Sequence, residues 1–408
     1  VEEAFPLLHQ KAQRQILAAD CWMYKIPGKD PSRNILLMSH HDVVPADTDW
    51  TMPAFEGIIR DGKVYGRGAA DTKGSLCAIL FAAEEMLREG TVPPVNLYIL
   101  SSHNEELGGD GMAATLEYCR EMGITFEVIL DEGGAIVEPP LAGMNCEMCA
   151  MVAVHEKGRL KVKCTVKNES SHVSLTAFKG NPVERMSQFI QEITTKNLFI
   201  RRLYPQTRGL FTSLAPYCKM PMRLLLSNLW LFRPILLKVL PGINASAGAM
   251  TQTTLAFTTA KGSDGLNVLP QEAYVTGNMR LIQHQGSDAS FEAVRKIAAK
   301  YNIETEVLYH DEPCPVVTYD SKQFKLIEEA AAEIYPGVQV SPYVMTGGTD
   351  AKFYKDICPN CIRFAPLYID EQQYGSVHGL NENIFQSALP YGVDFYKGVI
   401  GKMDTIES

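Results

Sequence analysis

A chain of 408 residues, 46% hydrophobic and 21% charged, is too long for one ordinary core and too apolar to be disordered, so two domains are expected. A formal net charge of −9 leaves no basic stripe for a phosphate backbone, which excludes nucleic acid as a partner. Ten scattered cysteines fit reduced thiols, and VEEAFPLLHQ carries no basic and apolar leader, so a cytoplasmic setting is expected.

The first predicted elements are short apolar runs ending in polar loops, with helical patterns between them: NILLMSHHD, SLCAILFAAEEMLREG, VNLYILSSHNEE and FEVILDEGG. That alternation predicts a parallel α/β sheet. Two Cys-x-x-Cys pairs, Cys146 with Cys149 and Cys358 with Cys361, have the spacing of two halves of a zinc knot. Each lies beside strand-like apolar sequence, so buried, inert thiols are the expectation.

From about Gly158 the texture changes. GRLKVKCTVKN alternates as a strand, PVERMSQFIQEITT is an amphipathic helix, and TTLAFTTAKG with EAYVTGNMRL forms an antiparallel pair. Helix SFEAVRKIAAKY and strand IETEVLYH follow. This βα-ββ-αβ order predicts a ferredoxin-like α+β lid over 156–313, inserted into a larger domain made of 1–155 and 314–408. Helix SKQFKLIEEAAAEIY and strand CIRFAPLYI then return the chain to that domain.

An apolar helical insert is expected within the lid at about 195–250. Its run MRLLLSNLWLFRPILLKVL (222–240) has the length of a membrane span, but Arg223, Asn228, Arg233, Lys238 and Pro234 make spanning costly. It reads as a packed or groove-lining helical hairpin; the other reading is a surface that touches lipid or a greasy ligand.

Several candidate ligands fall at the carboxyl ends of predicted strands, where open α/β sheets place their sites. His40 and Asp42 end the first strand and point the same way, so Asp42 can hold the second ring N–H of a metal-bound His40. Asp71 lies in VYGRGAADTKG, where a carboxylate can bridge two cations or cap the next helix. Glu105 and Glu106 end the third strand with opposite projections, so one can bind metal while its neighbour meets bound water. Asp131 ends the next strand in VILDEGG, and His378 lies in GSVHGLNE. Carboxylates and imidazoles without thiolate suit Zn, Co or Mn.

In this order and spacing the motifs resemble the di-zinc aminoacylase, acetylornithine deacetylase and carboxypeptidase family, peptidase family M20, over nearly the whole chain. HHD is similar to its H-x-D motif, GRGAADTKG to its G-R-G-x-x-D-x-K-G, NEEL to its paired acids, LDEGG to its fourth ligand loop and VHGLNE to its terminal histidine. NLWLFRPI and GGTDAKFY resemble the carboxypeptidase S and N-fatty-acyl-amino-acid synthase/hydrolase branch.

The resemblance implies a zinc-exopeptidase-type mixed sheet with helices on both faces, carrying the inserted lid. It implies two zinc ions, one held by His40, Asp71 and Asp131, the other by Asp71, Glu106 and His378. Glu132 is a rival to Asp131. Asp42 would orient His40, and Glu105 would be the general base.

In the lid, Asn267 precedes Arg280 by thirteen residues, the family spacing for holding a substrate carboxylate. Without the resemblance, Arg280 reads as a surface ion pair. His172 in ESSHVS is matched to the oxyanion histidine, with both glycines and one serine of the family's G-G-H-S-S lost. Gly348 in GGTDAKFY is placed among the substrate contacts. The implied substrate is an N-acyl amino acid or small peptide with a free carboxylate, and the 222–240 run points to a long acyl chain. A homodimer or a monomer is expected, with membrane contact only through 222–240.

Overall fold

The computed structural model describes residues 1–141, 143–168, 181–196, 198–266 and 268–406. His172 and Asn267 lie outside the described residues. The chain divides into two compact units, Val1–His155 with Pro205–Leu229 and Pro315–Ser408, and Glu156–Tyr204 with Trp230–Cys314.

In chain order, α1 (Pro6–Lys11) leads to β1 (Gln13–Leu17), β2 (Cys21–Ile26) and β3 (Asp30–His40). The hairpin β4 (Ile58–Arg60) and β5 (Lys63–Tyr65) precedes α2 (Gly74–Glu89), β6 (Val95–Ser102) and α3 (Gly111–Glu121). Strands β7 (Val128–Asp131), β8 (Ala135–Val137) and β9 (Cys149–Glu156) follow. Next come β10 (Gly158–Lys167), α4 (Pro182–Thr195), α5 (Pro205–Leu214), α6 (Met222–Ser227), α7 (Leu229–Ile243) and α8 (Ala245–Ala249). Then β11 (Thr254–Lys261), β12 (Glu272–Leu281), α9 (Ser287–Ala298) and β13 (Glu304–Asp311) complete the second unit. The first unit ends with α10 (Lys322–Ile334), β14 (Gln339–Met345), β15 (Cys361–Arg363), β16 (Tyr368–Ile369), α11 (Glu371–Ser376), β17 (Asn383–Phe385) and α12 (Ala388–Gly401).

The large sheet runs β1-β2-β6-β3-β7-β15-β9-β8-β16, with β14 also paired to β9. Its centre, β6-β3-β7-β15, is parallel, and antiparallel pairs flank it, so the sheet is mixed. Apolar side chains alternate between two covered faces, as a strand buried on both sides requires. Ile35, Leu37, Leu97, Ile99, Val128 and Leu130 join Leu76, Ile79 and Ala83 of α2 and Phe395 and Val399 of α12 in one core. Leu36, Met38, Tyr98, Leu100 and Ile129 join Met112, Leu116 and Cys119 of α3 in the other.

The second unit carries an antiparallel sheet in the order β11-β12-β10-β13. Leu160, Val162, Cys164 and Val166 of β10 point into a core with Val275 and Met279 of β12, Met186, Phe189 and Ile193 of α4, and Val294 and Ile297 of α9. The helix α4 starts at a capping box, in which Asn181 accepts from Glu184 N and the Glu184 carboxylate accepts from Asn181 N, with Pro182 at the first helical position. This is the α+β arrangement that the strand and helix order predicts.

The expected insert is divided. Residues 205–229 group with the first unit, because α5 buries Leu210, Phe211 and Leu214 there and Ser213 Oγ meets Ser341 Oγ at 2.6 Å. Gly209 makes this approach feasible, since a Cβ there would come within 3.1 Å of both Pro342 and Tyr319. The apolar run 222–240 is therefore shared between α6 and α7 rather than belonging to the lid as one hairpin.

Candidate metal centre

The parallel centre of the large sheet brings three strand ends into register. His40 pairs with Ser102 at the ends of β3 and β6, and Leu37 pairs with Leu130 one residue before the end of β7. The loops leaving these ends, together with 67–71 and 378–382, supply the titratable side chains. Two overlapping groups, His40 with Asp71 and Glu106, and His40 with Glu105 and Glu132, bring donor atoms within 4.8 Å of one another.

His40 is 2% exposed. Its Nδ1 meets the Asp42 carbonyl at 3.0 Å and the Asp42 carboxylate at 3.3 Å, which turns Nε2 toward Asp71 Oδ1 at 3.0 Å and Glu132 Oε1 at 3.4 Å. The two carboxylate oxygens of Asp71 are divided, Oδ1 facing His40 and Oδ2 lying 3.0 Å from His378 Nε2. His378 Nε2 is also 3.0 Å from Glu106 Oε1. Asp42 does more than touch His40, because its carboxylate accepts from both Glu105 N and Glu106 N at 3.1 Å and so fixes the paired acids.

Carboxylates outnumber imidazoles here, and burial makes each negative charge costly. Burial opposes a charge on His40, but Glu132, Asp42 and Asp71 outweigh it and push its pKa far up. Burial, then the neighbouring Asp350, pushes Glu105 up to about 8. Burial and the Asp71 charge raise Glu106 and Glu132, the latter strongly. The hydrogen bond to Asp71 holds His378 up to about 9. Divalent cations would relieve this surplus, and the oxygen and imidazole donor set fits them.

Asp131, expected among the ligands, is in neither of the candidate metal groups among the described residues. It still lies in the β ladder, opposite Arg363, and its Oδ2 accepts from Ala351 N at 2.8 Å while Oδ1 accepts from Glu132 N at 2.9 Å. Glu132 is the first residue released from the strand, and it faces His40; Gly133, at φ 113°, then reverses the chain. Of the two neighbouring acids, Glu132 is the one found in a candidate metal group with His40.

A second layer holds the ligand loops. Glu382 is fully buried; its Oε2 accepts from Arg67 Nη1 at 2.9 Å and Gly68 N at 3.1 Å, and its Oε1 from Ala70 N at 2.9 Å and Asp71 N at 3.0 Å. Arg67 Nη2 in turn donates to Gly379 O at 2.9 Å and to His378 O at 3.4 Å. It thereby steadies His378, whose φ of 59° few non-glycine residues adopt. Sequence reading passed over this pair, although a charged residue inside each of the glycine-containing motifs was the available signal.

The remaining expected residues are placed separately. Gly348 lies in the loop between β14 and the turn Asp350–Tyr354, whose Asp350 accepts a 2.5 Å hydrogen bond from Ser102 Oγ. Arg280 belongs to the second unit, directly across from Arg159 on β10, and its buried Nη1 has no hydrogen-bond partner among the described residues. Burial and then Arg159 lower its pKa. None of the candidate metal groups among the described residues contains a cysteine, and the Sγ atoms of Cys146 and Cys149 lie 3.7 Å apart.

Residues 36–402 match the model of Peptidase family M20/M25/M40. The chain belongs to this family. A probable carboxypeptidase S-like 2 of Dictyostelium discoideum is 32% identical over 97% of this chain and 77% of its own length. The N-fatty-acyl-amino acid synthase/hydrolase PM20D1 of Homo sapiens is 29% identical over 99% and 82%. Among solved structures, the M20 family metallo-carboxypeptidase Sso-CP2 from Sulfolobus solfataricus superposes with a TM-score of 0.71 at 20% identity, covering 98% of this chain and 92% of that one. This M20 member is a metallohydrolase acting on amide bonds.

Proposed function

We propose that this M20 member cleaves the amide bond of N-acyl amino acids, long-chain ones included, or of small peptides that carry a free carboxylate. The observation that carries the reading is the division of Asp71 between His40 and His378, since one carboxylate facing two imidazoles from opposite oxygens is what a bridging ligand needs. His40, Asp71 and Glu132 would hold one zinc, and Asp71, Glu106 and His378 the other; cobalt or manganese would suit the same donors. When bound, the metals supply an acidified water and polarise the scissile carbonyl.

The chain's own residues do the rest. Asp42 fixes the ring of His40 and the backbone that presents Glu105. Glu105 takes a proton from the attacking water on its carboxylate and passes it to the departing amine nitrogen, which leaves neutral. Its raised pKa in the absence of cations belongs to an unneutralised acidic cluster, and cations bring it back toward a working base. Arg280 would pair the substrate carboxylate, and its Nη1, without a partner among the described residues, supports that role. Asn267 and His172 would act with it, the latter on the oxyanion, and Gly348 would line the substrate.

The names of relatives favour a fatty acyl group in one case and a peptide in another. The test is turnover by the zinc-loaded chain on N-acyl amino acids of graded length, with dipeptides alongside. Each methylene buried adds up to about 0.8 kcal/mol, so kcat/KM should climb steeply from acetyl to long acyl. A flat profile, or preference for dipeptides, removes the fatty-acyl reading. Arg280→Ala should damage free acids far more than their amides, and equal damage would make Arg280 structural.

A further inference from the structure

The helix α7 leaves an apolar face uncovered. Its buried side chains Leu229, Leu236 and Leu240 form one stripe, as helical spacing requires. Leu231, Ile235 and Val239, spaced i, i+4 and i+8, share an arc away from that stripe, with Trp230 on the adjoining side; Trp230 is 78% exposed, Ile235 57% and Leu231 55%. Single exposed apolar residues need no explanation, but three on one helix face with an exposed Trp beside them do.

The charge around this face is as unusual as its hydrophobicity. From Ile193 to Ser263 the chain holds nine Lys and Arg and no Asp or Glu, although its formal net charge is −9. On α7 itself Arg233 and Lys238 are exposed, and Arg202 of the same unit is exposed as well. None of these three is in an ion pair among the described residues. Pro241 has no N–H for the Leu237 carbonyl, and Arg201 Nη1 approaches that carbonyl at 3.4 Å, adding a further cation beside the helix.

We propose that α7 lies in the plane of an anionic phospholipid bilayer, with Trp230, Leu231, Ile235 and Val239 entering the boundary between headgroups and acyl chains and Arg233 and Lys238 meeting lipid phosphates. Amphipathic helices with a Trp among their apolar residues and cations beside them dock in this way. No helix among the described residues is long and apolar enough to cross a membrane, so α7 lies flat. A second copy of the chain suits the face poorly, because a two-fold contact sets each cation against its own kind. An anionic surface repels the acidic remainder of the chain and attracts this segment, which orients the docked protein. The docking is independent of which amide the metal centre cleaves.

The test uses the full chain with phosphatidylcholine vesicles, with and without phosphatidylserine, at low and raised salt. Sedimentation with the phosphatidylserine vesicles, weakening as salt rises, is the expected result. Leu231→Asp with Ile235→Asp should abolish it, and Arg233→Gln with Lys238→Gln should weaken it roughly thirty-fold. Both variants should keep the thermal melt and the turnover of short soluble substrates. Failure to bind either vesicle overturns the proposal, as does equal, salt-insensitive binding to both. Self-association abolished by the aspartate pair, without vesicle binding, would assign the face to a second copy instead. Should the aspartate pair unfold the unit, quenching of wild-type tryptophan emission by brominated lipid decides the matter, and an absence of quenching refutes docking.

Discussion

Glu382→Gln tests whether the metal centre is held from behind. The carboxylate takes four hydrogen bonds, one from the guanidinium of Arg67 and three from the backbone of 68–71. Glutamine keeps one oxygen but sets an NH₂ against donors at the other position, so two bonds are lost whichever way it turns. It also leaves Arg67, whose side chain is 3% exposed, without its counter-charge. Breaking a buried pair on one side costs about 3–5 kcal/mol. The urea midpoint of the metal-free chain should fall accordingly. Zinc affinity, read by competition with a chelator, should weaken by tenfold or more, because Asp71 N and the His378 carbonyl both belong to this network. Arg67→Met with Glu382→Leu removes the unpaired charge but leaves the N–H groups of Gly68, Ala70 and Asp71 without their acceptor, so neither stability nor affinity should recover. A Glu382→Gln chain within about 1 kcal/mol of wild type, with unchanged zinc affinity, would refute the argument.

Glu105→Gln should lower turnover at least ~10²-fold while zinc stoichiometry is kept, and retention of more than about a tenth of turnover would place the base elsewhere. Glu132→Ala should remove or weaken one metal, whereas Asp131→Ala should keep metal stoichiometry and lose about 1–3 kcal/mol of stability, because Ala351 N would lose its acceptor; the opposite pattern would restore Asp131 as the ligand. Burial, and then Arg280, lower Lys157 to about 7 from 10.5, so the folded state releases its proton first and wild-type stability should rise between those two pH values relative to Lys157→Met. A stability difference between the two that is constant across that window would show that Lys157 titrates normally.

The strand ends were legible in the sequence because apolar runs buried on both faces have few alternatives and their terminal residues must emerge at one edge of the sheet. His40, Asp71, Glu105, Glu106 and His378 meet there. Asp131 and Glu132 were not separable, since neighbouring acids differ only in which one the ladder still holds, and that depends on pairing with Arg363. The partner of 205–229 was equally hidden. An apolar helix face states that it needs cover, and only the gap at Gly209 shows that Pro342 and Tyr319 provide it. Glu382 and Arg67 escaped because a charged residue in a glycine-rich turn reads as solvated until its burial is known.

The tie between Glu382 and the 68–71 backbone joins points separated by more than 310 residues. During synthesis, the loop that carries Asp71 emerges long before its anchor exists. The nascent sheet can form around β3 and β6, but its paired-oxygen site stays loose until residues 378–382 arrive. Metal holding is therefore tied to the arrival of residues 378–382 and not to that of the Asp71 loop, and a ribosome-bound chain halted before residue 378 should hold metal poorly.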